Sequence, residues 1–426
     1  MRPTTDRGAR FRFLLIGLSA GLVSATEVRA QTSAAPPSGN NNPAQARTMR
    51  EAPATHEAAT EEVGAWPKVS FDSVMSLDYA HMSSSTGPDR GPGFVYWDDS
   101  TLLVEFNDAL SLDGLFQFKP RQPLSGDNPN KDLFINRGLD RDEGGKMKEL
   151  YIRYGDWRIG KFVQDFGRAY ALLPGPWASD FIEEPEEGYE PSDMIGVEKI
   201  HVFDDEREGW KQLSLSAFMV DRTFLHESFP FNEGMIHYKD GGVGNTKLPE
   251  NLMATWDVLN MPVGHWAHLT YQASVIRWGK TYGAQRGEWW TTLGGDLVIP
   301  LRGTVLDTLS GRYSQLHFYV EGARRDNFNG FAGRARNFLS GSAEYMTGPW
   351  VFDLTTSQRW TTDRVLPLQK DELYSASIGY TLPSQTVVSL SAAHEKVGVE
   401  KGLYAGIRLT QTFTLCSKCT INGKSF

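Results

Sequence analysis

The sequence predicts an all-β fold: a transmembrane antiparallel β-barrel of about 16 strands, with short periplasmic turns and long external loops. Three observations predict it. Apolar and polar residues alternate at period two in segments of about ten residues. The gaps between those segments alternate short and long. Residues 1–30 carry an export signal. Composition removes the competitors. Of 426 residues, 40% are hydrophobic and 12% aromatic, and only 2 are Cys. A mean hydropathy of -0.39, with no apolar run of about 18 residues, excludes a helical inner-membrane protein. Two cysteines exclude a disulfide-dense scaffold or a multi-cysteine zinc protein. A net charge of -9 argues against nucleic acid as a partner.

The signal peptide comes first. Arg2, Arg7, Arg10 and Arg12 make a basic start, residues 13–23 an apolar core, and Val28-Arg29-Ala30 a small-residue cleavage site. That core is too short to cross ~30 Å of hydrocarbon as an anchor. Residues 31–65 then contain only Met49 and Val63 as apolar side chains larger than Ala, among Pro36, Pro37, Pro43 and Pro53. Such a stretch cannot bury enough surface to offset its ordering entropy, so it reads as a disordered periplasmic leader. Pro53 interrupts its one candidate for a short trimerising helix.

Residues 66–413 read as the barrel. Strands are expected near 69–80, 95–106, 109–118, 146–154, 157–163 and 194–203. The series continues near 210–220, 251–261, 266–277, 288–299 and 313–323, then 335–346, 350–360, 372–382, 385–394 and 403–413. Leu269, Tyr271, Ala273 and Val275, set between His268, Thr270, Gln272 and Ser274, show the pattern. Side chains alternate between the two faces of a strand, so each segment has one apolar and one polar face. Gaps after even-numbered strands are mostly tight, as at Gly155-Asp156 and Thr347-Gly348-Pro349, while the longest, near 119–145, 164–193 and 221–250, follow odd-numbered ones. The connection near 300–312 breaks that rule.

Tyr96, Trp97, Tyr154, Trp157, Trp210, Trp256, Trp266, Trp289, Trp290, Trp350, Trp360 and Tyr404 fall near strand ends, where amphipathic rings form girdles at the lipid headgroups. Residues 403–413 look like a terminal strand closed by an aromatic, Phe413. Residues 414–426 are read as a periplasmic tail. Within it Cys416 and Cys419 are a disulfide candidate, since zinc needs two more ligands and redox catalysis needs a thioredoxin-like helix start.

With these features the chain resembles the Gram-negative outer-membrane porins. Ile159-Gly160-Lys161-Phe162 leading to Asp165-Phe166-Gly167-Arg168 is similar to the hydrophobic-Gly-Lys/Arg-Phe…Phe-Gly run of the phosphate-selective porin O/P type. The resemblance implies that the third external loop, near 164–193, folds inward and narrows the lumen, and that the barrel is a homotrimer. That loop is acidic, with Glu183, Glu184, Glu186 and Glu187, whereas Arg153, Arg158, Lys161 and Arg168 lie on adjoining segments. An acidic loop facing a basic wall makes a transverse field that favours polar solutes. By parity Asp257, Asp296, Glu321, Asp353, Arg359 and Arg408 also face the lumen. Charge reversal at the four glutamates is expected to move ion selectivity towards anions.

Three functions of different classes follow. A porin passes small hydrophilic solutes or ions by passive diffusion, with outer-membrane lipid around it, no catalysis, no cofactor and no metal. A phospholipase-like outer-membrane hydrolase is the second, because His226-Glu227-Ser228 and His81-Met82-Ser83 each place His and Ser on one face of a strand. A plugged structural or adhesin barrel is the third. No H-E-x-x-H, P-loop or post-strand GxGxxG occurs, and Gly241-Gly242-Val243-Gly244 reads as a loop tip.

Overall fold

The computed structural model describes residues 66–84, 90–118, 145–175, 177–178, 180–183, 188–203, 209–226, 236–301, 314–363, 368–417, 420–421 and 424–425. The signal and leader, Glu184, Glu186, Glu187, Glu227, Ser228 and Cys419 lie outside them, as do the side chains of Ser83, Glu183 and Cys416.

Among the described residues, sixteen strands form the barrel. They are β1 (Lys68–Ser84), β2 (Arg90–Asn107), β3 (Leu110–Phe118), β4 (Gly145–Tyr154), β5 (Trp157–Lys161), β6 (Met194–Phe203), β7 (Trp210–Val220) and β8 (Asn251–Val263). The second half comprises β9 (Ala267–Arg277), β10 (Trp289–Pro300), β11 (Gln315–Asp326), β12 (Ala335–Thr347), β13 (Trp350–Thr362), β14 (Gln369–Thr381), β15 (Val387–Val397) and β16 (Glu400–Ser417). Each pairs antiparallel with its sequence neighbours, and β1 pairs with β16, closing the barrel. Closure leaves the sheet without a free edge, the condition for strands to sit in hydrocarbon.

The alternation sorts side chains by face. Outward positions hold large apolar groups: Leu293 is 66% exposed, Leu354 63% and Val320 57%. Inward positions on the same strands hold Thr292, Asp353 and Glu321, the last only 1% exposed. Tyr154, Trp157, Trp266, Trp289 and Trp350 are exposed aromatics near strand ends, which is the girdle arrangement. Two rings expected there face the other way. Trp290 is buried on the inward face of β10, and Tyr404 packs against Trp177, ring centroids 5.4 Å apart.

Three places along the chain test the expected boundaries. β15 and β16 are joined by only two residues, Gly398 and Val399, because alternation continues through Lys396 and Glu400. The link from β10 to β11 is long, as its sequence implied, and is pinned where Leu301 N donates to Ser314 O at 2.8 Å. The closing strand passes Phe413 and runs to Ser417, so Cys416 belongs to β16 opposite Ser70 and not to a tail. Beyond it, Thr420–Ile421 (β17) and Lys424–Ser425 (β18) pair as a two-stranded sheet.

Candidate functional site

The site is built on the segment between β5 and β6, residues 162–193. Gly160 and Gly196 are register partners at its root. Gly160 has φ +140, and a Cβ there would lie 2.4 Å from Leu150 O, so only glycine permits the close backbone approach. From Phe162 the chain leaves the sheet and forms two short helices, α1 (Ala169–Leu172) and α2 (Asp180–Glu183), before rejoining at Met194.

Its contacts fall on inward positions of successive strands. Gln164 accepts from Ser216 of β7 at 2.8 Å, and Asp165 O accepts from Thr255 of β8 at 2.9 Å. Phe166 packs on Trp290 of β10, and Tyr189 on Phe338 of β12 with centroids 4.8 Å apart. Pro174 O accepts from Thr355 of β13 at 3.2 Å. Phe181 lies under the Arg359 guanidinium at 4.6 Å. Around these anchors Phe166, Ala169, Leu173, Ile182 and Tyr189 join Phe218, Met253, Ile276, Trp290 and Phe338 in one apolar cluster.

Glu321 of β11 is the centre of the polar grip. Its carboxylate accepts from Tyr189 OH and Tyr319 OH, both at 2.6 Å, and from the Arg168 N–H at 2.6 Å. The Ala169 N–H adds a longer contact of 3.4 Å, so a carboxylate from the wall satisfies the exposed donors at the start of α1. Gly167, at φ +75, makes room: a Cβ would come within 2.8 Å of Glu321 Oε1. Burial, then the adjacent Glu321 charge, push the Tyr189 phenol well above its ordinary value, so it stays a donor. Arg168 is an ion pair with Asp257, Nη2 to Oδ1 at 2.8 Å. Burial opposes its charge, but Asp257 and Asp165 outweigh that and raise its pKa.

The expected basic residues are therefore not one wall. Arg158 and Arg153 are register partners on the inward side, Arg158 buried against Glu198 and Arg153 half-buried. Lys161 was expected to face the bore and does not. Its register partner is the outward Leu150, and its buried ammonium lies 3.0 Å from Asp193, 3.1 Å from Asp221 and 3.0 Å from Leu225 O. Burial alone would raise the Asp193 carboxyl, but Lys146, Lys161 and Lys148 hold it well below the usual carboxylate range. Three further inward arginines are paired: Arg325 with Glu288 at 3.2 Å, Arg359 with Asp371 at 2.7 Å, and Arg408 with Asp78 at 2.6 Å. All six charges assigned to the lumen by parity stand at inward register positions.

The hydrolase pairs fare differently from one another. His226 ends a 3-10 turn, Phe224–His226, and is buried there instead of on a strand. His81 lies on β1 at the outward parity of Leu77 and Tyr79. Sequence reasoning missed the grip itself: Tyr189 had no role assigned, Trp290 was expected in the lipid-facing girdle, and Gly167 counted only as part of the Phe166-Gly167-Arg168 run that marked its place.

No family model matches the chain, and no curated protein does. Among solved structures, the outer-membrane channel DcaP of Acinetobacter baumannii aligns with a TM-score of 0.53 at 12% identity, covering 83% of this chain and 99% of that one. The chain has the fold of an outer-membrane channel barrel. Closed antiparallel ladders under an exposed apolar belt are the structure of an outer-membrane protein, and its location is the cell outer membrane. An anion-selective porin from Comamonas acidovorans aligns at 0.49 with 9% identity, covering 81% and 100% of the two chains. OmpF of Salmonella typhi, complexed with daunomycin, aligns at 0.48 with 10% identity, covering 80% and 97%.

Proposed function

We propose that the protein is a porin through which small hydrophilic solutes or ions diffuse passively, and that residues 162–193 form an inward loop narrowing its lumen. The observation that carries this reading is the set of contacts from that segment to inward side chains of β7 to β16, centred on Glu321. A barrel of about 16 strands is too wide for side chains alone to fill. The loop takes one side, and the inward arc of β1 to β3, with Ser76, Asp78, Asp99 and Gln117, is polar enough to hold water. No chemistry is asked of the protein, and lipid outside and solute inside are its partners. A homotrimer belongs to the same reading, and the Gly160 to Gly167 run resembles the phosphate-selective O/P type without carrying phosphate selectivity, because the inward Arg158, Arg168, Arg325, Arg359 and Arg408 are each paired with a carboxylate.

The apolar cluster around Phe166 and Trp290 favours a second reading, a plugged barrel. Planar-bilayer recording of refolded protein decides between them. Open-channel steps are expected; their absence from protein shown to be folded would select the plug.

A further inference from the structure

The loop after β7 holds the inward segment from two sides. On the outer side its first turn, Phe224–His226, places Leu225 O 3.0 Å from the buried Lys161 ammonium, at the root where the 162–193 segment leaves β5. On the inner side Ile236 and Val243 pack against the apolar cluster that contains Phe166, Ala169, Leu173, Ile182 and Tyr189.

Residues 236–250 are fixed by neutral hydrogen bonds. Asn245 Nδ2 donates to His237 O at 2.8 Å and to Gly241 O at 2.9 Å, which ties the loop to itself. Gly244 O accepts from the Val220 N–H at 3.1 Å and from Asn251 Nδ2 at 2.9 Å, at the external ends of β7 and β8. So tethered, Gly244 lies against the Trp278 ring, where a Cβ would come within 2.5 Å of Cζ3. From that ring a line of buried aromatics runs to the segment. Trp278 meets Trp290 with centroids 4.7 Å apart, and Trp290 meets Phe166 at 5.9 Å. Close-packed interiors have little void to absorb a displacement, so they pass it on.

Resting on the porin reading, we infer that residues 236–250 brace the 162–193 segment, so that two loops together set the width of the bore. Gly244 and Asn251 are positioning residues: Gly244 bears on Trp278, and Asn251 holds the Gly244 carbonyl. Asn251 Oδ1 has a separate partner, the Gly279 N–H at 2.9 Å, so the two halves of one amide can be tested apart.

The test is single-channel conductance of the refolded full chain, with the largest sugar admitted by protein-bearing liposomes as a second readout. Gly244→Ala forces the loop and Trp278 apart. Asn251→Asp keeps an acceptor for Gly279 but sets a carboxylate oxygen against the Gly244 carbonyl. Each variant is expected to raise conductance and to admit a larger sugar. In a Phe166→Ala background the line of rings is already cut, so adding Gly244→Ala should change neither readout further. Asn251→Asp keeps the test usable if Gly244→Ala does not refold. Wild-type values in both folded variants overturn the inference. So does an undiminished effect of Gly244→Ala on top of Phe166→Ala, which would mean that the loop narrows the mouth by itself. Both of those leave the porin reading standing, whereas a wild type without conductance removes that reading first.

Discussion

Two arcs of the inward wall follow the same alternation and end in opposite states. From β8 to β13 the inward positions include Met253, Ile276, Trp290, Tyr319 and Phe338, and the 162–193 segment packs over them. From β1 to β3 they include Ser76, Asp78, Asp99 and Gln117, which bond to neighbours along the wall: Ser76 to Thr410 at 3.0 Å, Asp78 to Arg408 at 2.6 Å and Gln117 to Asp99 at 2.7 Å. Period two decides which side chains point inward; their bulk decides where the loop can rest. An aromatic arc recruits a covering segment because its rings gain about 1.5–3 kcal/mol each on leaving water, whereas a hydroxyl and carboxylate arc gains nothing from cover.

The sharpest way to break this contrast is Glu321→Ala. Two phenols and the Arg168 N–H would lose their common acceptor, at a cost of about 3 kcal/mol or more. The urea midpoint of refolded protein should fall and single-channel conductance should rise as the segment loosens. Unchanged values for both would mean that the apolar cluster holds the segment without its polar centre.

Gly167→Ala attacks the same grip from the other partner. A side chain at φ +75 and 2.8 Å from Glu321 should cost about 1–3 kcal/mol in strain. Conductance should move in the same direction as in Glu321→Ala, by less. A variant as stable as wild type would show that the approach of segment to wall is not tight.

Asp193→Asn asks whether the foot of the segment matters as much as its middle. The Asp193 carboxyl is held below its ordinary value by three lysines, so its contribution is present above the unfolded value of about pH 4 and fades as pH falls through the folded one. The stability gap between wild type and variant should be about 1–3 kcal/mol near neutrality and should close on acidification. A gap that stays constant with pH would remove the lysines as its cause.

Smallest in stability is Asp99→Asn on the other arc, expected to cost about 1 kcal/mol or less because Gln117 keeps a hydrogen-bond partner. Its effect should appear in conductance. Were it to destabilise as much as Gly167→Ala, the two arcs would not differ as described.

Most of the architecture was legible because a barrel strand writes its two faces directly into the sequence. The sixteen segments, the long loops after β3, β5 and β7, and the inward parity of Asp257, Glu321 and Arg408 all follow from alternation. What failed did so where alternation stops carrying information. Trp289 and Trp290 are consecutive, so they face opposite sides, and position near a strand end cannot say which ring meets lipid. Lys161 stands at the outward parity of Trp157 and Ile159, but Asp193, Asp221 and the Phe224–His226 turn cover the outer face there, so an outward position is neither lipid nor bore. The role of Glu321 left no local trace, because its partner Arg168 is 153 residues away.

The clasp between Asp78 and Arg408 joins positions 330 residues apart, on the first and last strands of the cylinder. Arg408 Nε donates to Asp78 Oδ1 and Nη2 to Oδ2, at 2.6 Å each, a fork geometry tied to this alignment of the two edges. The seam between first and last strands therefore checks its own register. A slip of one residue would turn this pair into the lipid and the leucines into the water, so a chain that closes wrongly gains no reward for having closed.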